Sequence, residues 1–339
     1  MRYTTIAICV IFAASATAQW TVVNLHPGGA EMSRAFAVRD GKQVGSAVVG
    51  GVVRASLWSG TAASWVDLSP VGQQGGSEAV GLDGPMQVGH ASVNGSGGAC
   101  YWSGTAGSWV NMHPGGSWSY IMDADAGTQV GVVGFGLNHA ALWSGTPGSW
   151  IDLHPPSAQE SEANGVHAAQ QVGTARVGGV YRASLWTGTW DTWVDLHPTG
   201  ASESFGMEIH AGTQVGWATV GGVQHACLWQ GTATSWVDLN QPGVQSSRAM
   251  DCHAGQQVGG ATTQNREHAS LWDNSATSRR DLHVFLPSGF SDSTAWGIWN
   301  DADLTYIVGD GRHTSDGRLR ALMWISRSVA PASYSMVRG

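Results

Sequence analysis

Three histidines, His167, His210 and His253, recur at steps of about 43 residues, each four positions before the Gln of a Gln-Val-Gly phrase. Equal placement on a repeated unit puts them in one register, and converging imidazoles have the ligand chemistry of zinc. The same register carries Arg39, Asp83 and Asp125, so an ion pair, a polar ring or hydrogen bonding to turn backbone competes with metal binding. A second register reads Arg34, Glu78, Tyr120, Glu162, Phe205 and Arg248. Carboxylates, guanidiniums and aromatic rings at one repeat position suit a polar ligand, a sugar above all. Glu78, Tyr120, Glu162 and Arg248 are the catalytic candidates, for a glycosidase or a polysaccharide lyase. A glycosidic acid/base pair needs its carboxyls within about 5–9.5 Å. The competing reading is a solvated rim of local salt bridges. Trp118 stands outside the main tryptophan series and joins the binding candidates. Asp123-x-Asp125 and Asp301-x-Asp303 are short acidic pairs able to hold calcium, or to sit as solvated turn carboxylates. Neither a Gly-x-Ser-x-Gly elbow, a His-Glu-x-x-His pair, a phosphate loop nor an EF-hand loop occurs, so catalysis has little sequence support.

The elements that position these residues follow from internal repetition. Trp-Val-Asp-Leu-His-Pro and its variants place an acidic or amide residue at Asn24, Asp67, Asn111, Asp152, Asp195, Asp238 and Asp281. Ala-x-Leu-Trp gives a second series from Trp58 to Trp324, and Gln-Val-Gly a third from Gln43 to Gln257, with Ile307-Val308-Gly309 as a degenerate copy. Each period holds four short strand candidates, in the first unit about 34–39, 43–49, 54–58 and 65–68, divided by Asp-Gly, Gly-Gly and Gly-Thr turns. Four strands in a period in the low forties match a propeller blade. The fourth-strand phrase at Val22–His26 has no three strands before it, and the last unit has three strands without a fourth. Pairing the two ends closes a seven-bladed, all-β propeller and removes both exposed strand edges. The expected blades run over about 32–70, 76–114, 118–155, 161–198, 203–242, 246–287 and 292–326 plus 20–27, within a propeller domain at 19–327.

Arg2, an apolar run and Ala16-Thr17-Ala18 read as a signal peptide over residues 1–18, which predicts a secreted or periplasmic protein. The apolar run is too short to cross a bilayer, and stable membrane insertion is not expected. Residues 328–339 read as a tail without strand pattern. A net charge of −8 with almost no lysine disfavours nucleic acid as a partner. Cys100, Cys227 and Cys252 allow one disulfide at most and read as buried thiols. His26, His113, His154, His197 and His283 close fourth strands, one per blade, and read as structural hydrogen-bonding groups.

Gln129-Val130-Gly131, His139-Ala140-x-Leu142-Trp143 and Asp152-Leu153 together resemble the secreted bacterial repeat family named for its His-Ala-Phe (HAF) motif. The likeness runs from Val22 to Ile325. Small residues such as Ser56, Ala141, Ser184 and Cys227 replace the Phe, and Asp-Leu-His-Pro replaces Asp-Leu-Gly, which marks a divergent branch. The resemblance implies an extracellular propeller-like protein and transfers no catalytic residue or cofactor. Joined to the varied loops before first strands and between second and third strands, it predicts a binding module that presents one loop face to an extracellular glycan or protein. The alternatives are a polysaccharide lyase or glycoside hydrolase at the channel mouth, and a structural envelope or matrix protein.

Overall fold

The computed structural model describes residues 20–93 and 96–327; the expected signal peptide at 1–18 and the tail at 328–339 lie outside the described residues. Seven four-stranded antiparallel sheets stand around a common axis as a seven-bladed β-propeller. Blade 4 shows the unit: strands Glu160–His167, Gln170–Val177, Val180–Trp186 and Val194–Asp195 pair in sequence order. Blade 7 joins Phe290–Asn300, Leu304–His313 and Leu319–Arg327 to Trp20–Asn24, which pairs antiparallel with the last of them, Val22 opposite Trp324. Both ends of the described chain therefore meet in one sheet. No helix among the described residues is long and apolar enough to cross a membrane.

The repeated phrases each do a separate job. In the Gln-Val-Gly of blade 4, Gln171 is buried; its Oε1 accepts the N–H of Gly188 in the turn before the fourth strand, at 2.7 Å, and its Nε2 donates to Ala169 O. The Gly173 of that phrase faces a β-bulge in the first strand, between Ala163 and Gly165. The same bulge recurs in all seven first strands, for example between Ile121 and Asp123 and between Gly206 and Glu208. A bulge leaves one residue unpaired and re-aims its side chain. The bulged residues are Phe36, Val80, Met122, Asn164, Met207, Met250 and Trp296, and all of them line the channel.

Blades are clipped together by the His of Asp-Leu-His-Pro. His197 Nδ1 meets Ser204 Oγ of the next blade at 2.8 Å, and that hydroxyl accepts the N–H of Ala183 from the blade before. Ser33 makes the same contacts across the ring closure, with His26 and with the N–H of Ala321. The Asp of the phrase turns the other way. Asp195 binds Arg182 at 2.7 Å, while His139, His225 and His268 donate to Asp152, Asp238 and Asp281 at 2.8–2.9 Å. The histidines that close fourth strands or precede third strands are thus side-chain hydrogen-bonding groups, as expected, but toward Ser and Asp more than turn backbone.

The third-strand tryptophans, Trp58 to Trp324, are fully buried between blades and dominate the core. Trp65 and Trp193, just before the fourth strands, donate to Ser56 and Ser184. Cys100 and Cys227 take that acceptor position in blades 2 and 5; burial pushes both thiols up. They and Cys252 are free and buried. In blades 1 to 6 the fourth strands are shorter than the sequence implies, two paired residues each, because a single 3-10 turn such as Ala62–Ser64 occupies the approach.

Candidate functional site

The face carrying the loops into first strands and the hairpins between second and third strands holds the Arg34 register. Its members do not share one mouth. Two residues before the bulge, their side chains lie along the seams between neighbouring blades. Arg34 Nε is 3.7 Å from Asp310, which burial raises to a pKa of about 6. Glu78 pairs across the ladder with His90, and Tyr120 packs between His90 and Trp118, with ring centroids at 4.4 and 5.1 Å. Arg248 binds Glu267 at 3.1 Å and lies over the Trp217 ring. Glu78 and Glu162 occupy different seams, so they do not face one bond together.

The seam between blades 4 and 5 opens into a cleft of about 300 Å³. Phe205 lies between Tyr181 and Trp217, stacked with centroids at 5.3 and 4.9 Å. Arg176 caps the Tyr181 ring at 5.4 Å, and Arg248 caps Trp217 at 5.9 Å, so guanidiniums close both ends of the row. Glu160 accepts the Tyr181 hydroxyl at 3.3 Å, and Glu162 accepts Asn138 from blade 3 at 3.0 Å. Burial, with the Glu160 charge beside it, raises the Tyr181 pKa. Thr174, 5% exposed, lines the cleft with a hydroxyl that has no hydrogen-bond partner among the described residues. Two of the expected binding residues, Glu162 and Phe205, come together here. Tyr181, Thr174, Arg176 and Glu160 complete the cleft. The stacking of Tyr181 and Trp217 on Phe205 exists only across the seam.

The channel forms a second site at the opposite end, beside the hairpins between first and second strands. Its cavity is about 410 Å³. The expected polar register closes it as a ring. Arg39 bridges Asp83 and Asp125 at 3.8 and 3.3 Å and lies over Trp299 at 5.1 Å. His167, His210, His253 and Trp299 follow as a row of rings, centroids 4.6, 4.2 and 4.3 Å apart. Most members accept an N–H from the next blade: Asp83 from Gly127, Asp125 from Ala168, His167 Nδ1 from Ala211 and His253 Nδ1 from Asn300. The three histidines come together as a row of tilted rings, and no group of three His, Cys, Asp or Glu side chains suited to a metal ion occurs among the described residues. Burial, then the neighbouring His253 and His167, lowers the His210 pKa to about 4.

Deeper in the channel stand three carboxyls. Asp123, Glu208 and Asp251 share one register, directly after the bulged residue, and line the cavity. Asp123 accepts the N–H of Val166, and Asp251 those of Ile298 and Cys252. Burial outweighs those bonds and raises both to about 7; Glu208, pressed also by the charges of Asp123 and Asp251, is raised well above the usual range. Asp123 thus belongs to the channel wall, bonded to blade 4. A carboxyl that keeps its proton in the folded chain but loses it when unfolded makes stability fall as pH rises from the unfolded value toward the folded one. Glu208→Gln removes that dependence. Denaturant unfolding is expected to give equal stabilities for both proteins at pH 4, with the Gln variant more stable by about 2–4 kcal/mol at pH 8. Equal stabilities at both pH values would show Glu208 to be ionised in the fold.

No family model and no curated protein matches the chain. Solved structures do. Puromycin hydrolase aligns with 86% of this chain at 10% identity and a TM-score of 0.56, and its S511A mutant complexed with PGG with 85%, also at 10%, with a TM-score of 0.55. TolB from Acinetobacter baumannii aligns with 90% at 10% identity and a TM-score of 0.42. This chain spans 54%, 53% and 65% of those chains. The likeness is one of fold: a β-propeller.

Proposed function

We propose that this chain is an extracellular binding module of the HAF-repeat type, which holds a glycan on its loop face, in the cleft between blades 4 and 5. The observation that carries the reading is the Tyr181–Phe205–Trp217 stack flanked by Glu160, Glu162, Arg176 and the unpartnered hydroxyl of Thr174. Aromatic faces take up the apolar side of a pyranose ring, while carboxylates, guanidinium and hydroxyl match its hydroxyl groups. With two carboxylates to one guanidinium among the lining side chains, the cleft favours neutral or amino sugars over uronic acids. The amino-terminal signal pattern and the repeat resemblance support a secreted or periplasmic setting, in which such polymers are met.

The test is retention on immobilised neutral and amino-sugar polysaccharides, with Phe205→Ala and Glu162→Gln alongside. Saturable binding that weakens at least tenfold in each variant, with unfolding midpoints little changed for the Gln variant, is the expected result. Binding that both variants retain in full would place the ligand elsewhere. Release of sugar or of an unsaturated product would replace the module with an enzyme.

A further inference from the structure

The channel cavity is assigned no part in glycan binding, yet it has the composition of a ligand site. Its walls are apolar where the bulges point: Phe36, Met122, Met207, Met250 and Trp296. Behind them Asp123, Glu208 and Asp251 face the same space, and no cationic side chain among the described residues forms an ion pair with any of the three. The one guanidinium at this mouth, Arg39, is already held by Asp83 and Asp125. Burial lowers the pKa of His210 and His253, so those two imidazoles add no compensating charge near neutrality. Glu208 and Asp123 each accept a single N–H, against two at Asp251. Glu208 Oε1 accepts only the N–H of Ile209, at 2.8 Å, and Oε2 has no hydrogen-bond partner among the described residues. The backbone makes room for this carboxyl, because the neighbouring register position is Gly165, where a Cβ would stand 2.3 Å from Glu208 Oε1.

We propose that the channel cavity is a second binding site, for a small protonated amine with an apolar body, its ammonium group held by Glu208 with Asp123 and Asp251. A positive charge is what three facing carboxyls lack. The cavity is far larger than a bare ion, and its aromatic and thioether walls suit an organic group. Trp296 and Phe36, edge to face at 6.1 Å, offer ring faces to the cation or its body. Each carboxyl that ionises against the ammonium gives up its proton, so binding near neutral pH releases protons to solvent.

Calorimetric titration of the full chain with phenethylamine at pH 7, in phosphate and in MOPS, measures both affinity and proton exchange. The expected result is one saturable site, proton release on binding, and at least tenfold weaker binding of the neutral 2-phenylethanol. Glu208→Gln is expected to lower amine affinity at least tenfold and to reduce the proton release. Phe205→Ala, in the seam cleft, is expected to leave it unchanged, which separates this site from the glycan reading. Equal binding of alcohol and amine, no saturable amine binding, or undiminished binding by a Glu208→Gln variant that retains the parent circular dichroism would each overturn the proposal.

Discussion

Val23→Pro is expected to open the ring. Val23 lies opposite Met323 in the closing pair, and Leu25, two residues on, donates its N–H to Ala321 O at 2.9 Å. Hydrogen-bonded and non-bonded pairs alternate along an antiparallel ladder, so Val23 also directs its N–H into the partner strand. Proline there removes a ladder bond and costs about 3 kcal/mol or more locally. The wider cost is larger, because this strand completes blade 7 and packs across the seam where the two ends meet. Leu25, Val308, Ala321 and Met323 share one core cluster with Trp58 of blade 1, and Ser33 holds both His26 and the N–H of Ala321. With the strand detached, the seam between blades 1 and 7 loses the Leu25 and His26 contacts, and the third strand of blade 7 becomes a free edge. Size-exclusion chromatography and urea unfolding should show loss of the folded monomer, or a midpoint far below the parent. Val22→Pro, at a non-bonded position, should cost less. A Val23→Pro protein that unfolds like the parent would mean that the amino-terminal strand is dispensable to the ring.

Ring closure was legible in the sequence because it follows from counting: a fourth-strand phrase without a blade at one end, a blade without its fourth strand at the other. Single residues were legible where one phrase repeats one job, as with Gln171 and the His197–Ser204 clip. The bulges were not legible. They exist only in the register between two strands, and no residue type marks Phe36, Val80 or Asn164 as their members. That gap has consequences for the sites. The bulge decides which first-strand side chains enter the channel, and the Arg34 register, two residues before it, lies along the seams. The bulge also hid Glu208 and Asp251, which no repeated phrase singles out. A signal was present: their register is Ala37, Gly81, Asp123, Gly165, Glu208, Asp251 and Gly297, carboxyls among residues with little or no side chain. The His167 register was legible as a polar ring, since neighbours of opposite charge stood at the same position on other blades.

Gly173→Ala tests how the bulge ties the frame to the cleft. A Cβ at Gly173 would lie 1.9 Å from the carbonyl oxygen of Glu162 and 2.8 Å from Ala163 Cα. Both are backbone atoms, so no side-chain rotation relieves the overlap and the first strand itself must move away. The same contact, 1.9–2.0 Å, recurs at Gly45, Gly89, Gly131, Gly216, Gly259 and Gly309, which explains why the third residue of the phrase is always glycine. The expected loss is about 4 kcal/mol, in the range reached only by severe strain or cavity formation. Gly179→Ala, in the next hairpin, provides the contrast: nothing lies near its Cβ, and its positive φ makes the cost about 1 kcal/mol. Displacing the Glu162 backbone also shifts a carboxylate of the seam cleft. Gly173→Ala should therefore weaken glycan retention in protein that remains folded, whereas Gly45→Ala, with the same overlap in blade 1, should lose stability alone. If Gly173→Ala and Gly45→Ala change retention equally, the cleft is not the place where the ligand sits.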